Sequence, residues 1–166
     1  MARPELEIEL TPSDTSAVEA QMDRLTRAGA GWINLLPGVQ ADDPSAGDEP
    51  GRPSPFAGLF GPAQSAVTMV TWVPATTGRR GTEMANVGIM HPRGRKAAQR
   101  LAEMGAPVPV GWQVRQDHAR RGLIVHVPAA VPAGEVLDWA LRAGELLAAA
   151  PLTGSWQARV YEPRRR

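Results

Sequence analysis

The stretch His91-Pro92-Arg93-Gly94-Arg95-Lys96 closes an apolar run and opens a helical pattern. A helix start presents free backbone N–H groups and the positive end of the helix dipole, so it favours an anion and disfavours cations. Basic residues packed there predict one of two things. An anionic ligand sits among His91, Arg93, Arg95 and Lys96, completed by the arginines of two glycine-bounded hairpin tips, Arg79-Arg80 and Arg120-Arg121. Otherwise Arg93, Lys96 and Arg100 form a solvated stripe beside an inward row of Ala97, Leu101 and Met104, which is the simpler reading.

Other chemistry is thinly represented. The three histidines, His91, His118 and His126, lack the H-x-x-x-H and H-E-x-x-H spacings that put two ligands on one metal, so no metal site is expected. No G-x-S-x-G elbow, phosphate-binding glycine loop or dinucleotide fingerprint occurs. The carboxylate pairs Asp42-Asp43 and Asp48-Glu49 fall in a segment that reads as loop, where water keeps them ordinary. Asp117-His118 reads as a surface turn. No catalytic residue and no cofactor are identified, and an enzyme of unknown reaction ranks third among the readings.

Residues 38–64 are rich in Pro, Gly, Asp and Ser and lack periodicity, which predicts a long loop or insert. Its apolar cluster, Phe56, Leu59 and Phe60, contains both phenylalanines of the chain. A latch over the core is the favoured reading, because exposed aromatic patches are uncommon on monomers; a docking motif for a partner is the other.

The elements that must position these groups follow from periodicity. Leu6, Ile8 and Leu10 alternate with Glu5, Glu7 and Glu9, a half-buried strand with one wet face. Val18, Met22 and Leu25 recur at helical spacing behind Asp14 or Ser16 as cap, and Gly29 and Gly31 end that helix. Residues 31–37 are apolar on both faces except at Asn34, which predicts a central strand. Strands are expected over 65–74 and 84–92, and a helix from about Arg93 closed by Gly105. A second hairpin turns around Asp117–Gly122; the longest helix carries Val136, Trp139, Ala140, Ala143 and Leu147; a last strand places Trp156, Ala158 and Val160 together.

The predicted fold class is α+β: an antiparallel-rich sheet with about three helices on one face. Residues 84–162 have the β-α-β-β-α-β order of a ferredoxin-like motif. Pro12 and Trp32 are echoed by Pro92 and Trp112, which raises duplicated βαββ units. A single domain over 1–163 with a basic 164–166 tail is expected.

Charge and composition bound the partners. Residues 1–65 carry four Arg and ten Asp/Glu, a balance of −6, whereas 66–166 carry fourteen Lys/Arg and seven Asp/Glu, a balance of +7. Lys96 is the only lysine, and the arginine excess is also what a GC-rich genome produces. The absence of cysteine excludes disulfides, thiolate metal ligands and cysteine nucleophiles. No apolar run reaches the roughly 20 residues that span a bilayer, and the acidic alternating start does not resemble a signal peptide, so a cytoplasmic protein without membrane contact is expected. The leading functional reading is a non-catalytic protein-interaction or regulatory module that binds an unknown protein or itself, through the Phe56 to Phe60 loop or through a sheet face left open by the helices. The alternative is a binder of nucleic acid or a phosphorylated small molecule, with nucleic acid not favoured because stacking aromatics are scarce.

Overall fold

The computed structural model describes residues 3–40, 67–79 and 81–162; the Phe56, Leu59 and Phe60 cluster, Arg80 and the 164–166 tail lie outside the described residues. Seven strands form one sheet: β1 Leu6–Leu10, β2 Trp32–Val39, β3 Met69–Val73, β6 Ala85–Met90, β7 Gln113–His118, β8 Gly122–Val127 and β9 Leu152–Tyr161. Two short strands, β4 Thr77–Gly78 and β5 Gly81–Thr82, make a separate ribbon between β3 and β6. The helices are α1 Ser16–Ala28, α2 Ala97–Glu103 and α3 Ala133–Leu147.

Sheet order is β1-β9-β2-β3-β6-β8-β7, with every neighbouring pair antiparallel. Register lines up the apolar residues across it. Val160 stands opposite Ile33, Ile33 opposite Trp72, Trp72 opposite Val87, and Val87 opposite Val125, all of them buried. This row faces the helices, whose inward residues include Val18, Met22 and Leu25 of α1 and Ala97 and Leu101 of α2. Burying each such large aliphatic side chain contributes about 1.5–3 kcal/mol. α3 crosses the sheet centre at Gly144, where an added Cβ would lie 2.7 Å from the Trp156 ring and the Thr68 hydroxyl donates to the Gly144 carbonyl at 2.8 Å.

The α+β class, the three helices and the mostly antiparallel sheet agree with the sequence reading. The ferredoxin-like arrangement of 84–162 is met only in β6-β8-β7. Its last strand belongs beside β6, yet β9 is separated from β6 by β2 and β3. The cause is pairing: β3 alternates well enough to take β6 over five register positions, and β9, ten residues long, serves both β1 and β2. The two suggested βαββ units also differ in strand order, since β9 parts β1 from β2 while β8 adjoins β6.

The helix ends show how local signals act. Gly29, at φ 63°, donates to Thr26 O while Ala30 donates to Leu25 O; Gly105, at φ 82°, donates to Ala102 O while Ala106 donates to Leu101 O. Both are Schellman closures that need a left-handed residue, which glycine adopts without strain. At the start of α1 the cap position is Thr15 rather than Asp14 or Ser16, and the Thr15 hydroxyl donates to the Glu19 carboxylate at 2.5 Å. Met104, expected to face inward, is 39% exposed because α2 ends at Glu103 and leaves it at the cap; Ala106 is buried instead. No helix among the described residues is long and apolar enough to cross a membrane.

Candidate functional site

The connector His91–Lys96 joins β6 to α2, and the contacts of His91 and Arg93 and the cap on α2 are structural. Arg93 reaches away from solvent-borne anions to the end of α3, where its guanidinium donates to Ala148 O at 2.6 Å. α3 ends without a glycine and without a basic residue in its last turn, so its terminal carbonyl takes this donor from another segment. At the other end of the connector, α2 has no acidic residue in its first turn. Its anion is Asp117 of β7, whose two carboxylate oxygens accept from the Ala97 and Ala98 N–H groups at 3.0 Å each. The residue read as a surface turn is therefore a helix cap, and the turn proper lies beyond His118.

To present both N–H groups to Asp117 the chain enters α2 through Lys96 in the left-handed region, φ 63°, the one non-glycine residue so placed among those described. That conformation costs an L-residue about 1–2 kcal/mol. His91 is buried, 6% exposed, and its Nδ1 accepts the Arg93 N–H at 3.3 Å, which leaves the proton on Nε2. Nε2 is buried without a hydrogen-bond partner among the described residues. Burial pushes the His91 pKa below its ordinary value; Asp117 opposes that shift and Arg100 adds to it.

The predicted basic residues divide between the two ends of the sheet. β6 ends at Met90 where β8 begins at Gly122, so His91, Arg93, Arg95, Lys96, Arg120 and Arg121 share one end. Arg79, in the ribbon that follows Val73 and precedes Ala85, lies at the other. All five arginine and lysine side chains of the first group are exposed; Arg93 is hydrogen-bonded to Ala148 O and the α2 N-terminus is capped by Asp117, which leaves Arg95, Lys96, Arg120 and Arg121 as the exposed cations not used in these two contacts. His118 Nδ1 accepts from the Arg120 and Arg121 N–H groups at 3.1 and 3.3 Å and so shapes the β7–β8 turn. His126 stands elsewhere, paired across strands with Asn86 and Gln113. No three His, Cys, Asp or Glu side chains among the described residues converge to hold a metal ion.

A second feature lies on the sheet face opposite the helices. Strand alternation places Trp32 and Asn34 of β2, Thr71 and Val73 of β3, Asn86, Gly88 and Met90 of β6, Ile124 of β8 and Arg159 and Tyr161 of β9 there. Trp32 and Tyr161 stack at 4.9 Å; Thr71 donates to Asn34 at 2.9 Å; Arg159 bridges to Glu7 at 3.3 Å. In register between Thr71 and Ile124 sits Gly88, and a Cβ built on it meets only Thr71 O at 3.9 Å. The missing side chain leaves a mainly apolar concavity of about 340 Å³ lined by Thr71, Val73, Gly88, Met90, Arg121 and Ile124. Sequence reasoning offered an open sheet face as one docking surface but named no residue on it. The signal was present in Val73, Met90 and Ile124, apolar residues at positions whose strand neighbours already supply the core.

No protein-family model, curated protein or solved structure matches the chain.

Proposed function

We propose that this protein is a non-catalytic interaction or regulatory module that docks a protein partner, or a second copy of itself, on the sheet face opposite its helices. The observation that carries the reading is the concavity at Gly88: a three-helix layer covers one side of the sheet, whereas the other presents half-exposed Val73 and Ile124 and the 44%-exposed Met90 around a residue with no side chain. Apolar surface grouped around a depression with a polar rim is where partner side chains gain most from burial. Thr71, Asn86 and Arg121 supply that rim.

Gly88→Glu tests it, because the substitution fills and charges the depression while the backbone has room for a Cβ. Light scattering over a concentration series reads self-association, and quantitative recovery of co-purifying proteins reads a heterologous partner. The expected result is loss of the association by about tenfold or more, equivalent to about 1.4 kcal/mol, with the folded state unchanged by circular dichroism. Undiminished association of a folded Gly88→Glu chain rejects the reading.

The second reading, an anionic-ligand binder, draws on the exposed Arg95, Lys96, Arg120 and Arg121 at one sheet end. Binding of mixed-sequence DNA or RNA that weakens steeply with salt and is lost in Arg120→Ala/Arg121→Ala would favour it; no binding at low salt removes its nucleic-acid form.

A further inference from the structure

His91 is the one buried side chain among the described residues whose nitrogen lacks a hydrogen-bond partner, and it opens a connector held by one local hydrogen bond and two long-range tethers. Its Nδ1 takes the Arg93 N–H; Arg93 in turn holds α3 at Ala148; Asp117 holds α2 at Ala97 and Ala98. We propose that the His91 imidazole is an acid-released latch on the β6–α2 connector: neutral, it accepts the Arg93 N–H and fixes the connector; protonated, it lets connector and the first turn of α2 come away from the sheet.

The geometry supplies the reason. Protonation turns Nδ1 from acceptor into donor, so two N–H groups face each other across a 3.3 Å contact. It also places a cation in a site where only 6% of the residue reaches solvent. The charged groups acting on the ring are Asp117 from β7 and Arg100 from α2, while the guanidinium of Arg93 lies at the α3 C-terminus. Asp117 is the natural counter-ion for an imidazolium, yet both its oxygens already cap α2. A charged His91 therefore competes with Ala97 and Ala98 for the same carboxylate. The connector has little to resist with, since Lys96 is held in a left-handed conformation that relaxes once the cap is lost.

The sign follows from burial, which depresses the folded-state pKa. The latch is fully closed above the unfolded imidazole value of about 6.5 and opens as pH falls through the lower folded value.

Proton-resolved NMR of the intact chain gives the His91 titration midpoint, and amide hydrogen exchange, corrected for intrinsic rates, gives the opening of residues 92–98. His91→Asn is the matched variant, because its Oδ1 keeps an acceptor near the Arg93 N–H and cannot be protonated in this range. In the wild type, exchange at Arg93, Ala97 and Ala98 is expected to rise as pH falls from the free-imidazole value to the lower His91 midpoint, by up to about tenfold per pH unit, and to level off below it, while β3 and β6 amides stay protected; in His91→Asn the rise is absent. Two results overturn the proposal: a His91 midpoint at or above that of free histidine, or a His91 titration in the wild type that leaves exchange at 92–98 unchanged. The second needs no variant, so it stands even if His91→Asn fails to fold.

Discussion

α1 and α2 stand in matching places, each preceded by proline and followed twenty residues later by a glycine-tryptophan pair, yet they are held by different means. α1 runs thirteen residues, starts on Thr15 with Glu19 one turn ahead, and ends on Gly29. The hydrogen bonds that cap its two ends lie within its own neighbourhood. α2 runs seven residues, starts on a left-handed lysine, and owes its cap to a carboxylate twenty residues away. A helix this short is marginal by itself, so its stability is tertiary. The lesson is that equal spacing in the sequence does not imply equal physics: one helix is specified locally and the other by the strand packed against it.

The glycines before the two tryptophans give the largest expected contrast. Gly31 has φ 96°, and a Cβ there would lie 2.6 Å from Tyr161 O, whereas Gly111 has φ 89° with nothing within 4 Å. Gly31→Ala should therefore cost more than about 3 kcal/mol, combining backbone strain with overpacking. Gly111→Ala should cost about 1 kcal/mol, the strain alone. Urea denaturation of the two variants measures the difference, and equal losses would show that the two turns are physically equivalent after all.

Next in size is the cap. Asp117→Ala removes both acceptors from the α2 N-terminus and should destabilise by about 2 kcal/mol, with exchange protection lost first in α2; Thr15→Ala should cost about 0.5 kcal/mol and loosen α1 little. The smallest expected effect has the opposite sign. Lys96→Gly relieves the left-handed strain and gives back part of it as unfolded-chain entropy, leaving a net gain of about 0.5 kcal/mol. A loss of stability in thermal melts of that variant would mean the lysine side chain holds the connector by a contact beyond its backbone.

What could be read from the residues follows the same division. The closing roles of Gly29 and Gly105 and the inward faces of α1 and α3 are properties of contiguous segments, and all were legible; the alternation of β1 was legible at Ile8 and Leu10, whereas Leu6 is 41% exposed. The basic run at 93–96 was read as the first turn of a helix, whereas it is the connector before α2, which starts only at Ala97, and the anion that serves the helix start was not visible. Asp117 looks like any turn residue until β7 is laid against α2, and Arg93 looks like a free cation until α3 ends beside it. Strand order was hidden for the same reason. Nothing local in residues 152–161 says that they pair with β1 and β2 rather than with β6. The Gly88 depression required the register of three strands before its emptiness had meaning.

The position of β9 sets a timetable for the chain. Leu10 pairs with Trp156 and Leu6 with Val160, and the described sheet offers β1 no other neighbour. At about 5–20 residues per second of synthesis, the first strand waits on the order of ten seconds for its partner to be made. During that interval its apolar row is exposed beside three glutamates at 5, 7 and 9, whose mutual repulsion works against premature strand pairing between nascent chains. The β1 edge should thus be the last part of the sheet to gain protection on refolding and the slowest-forming register in it.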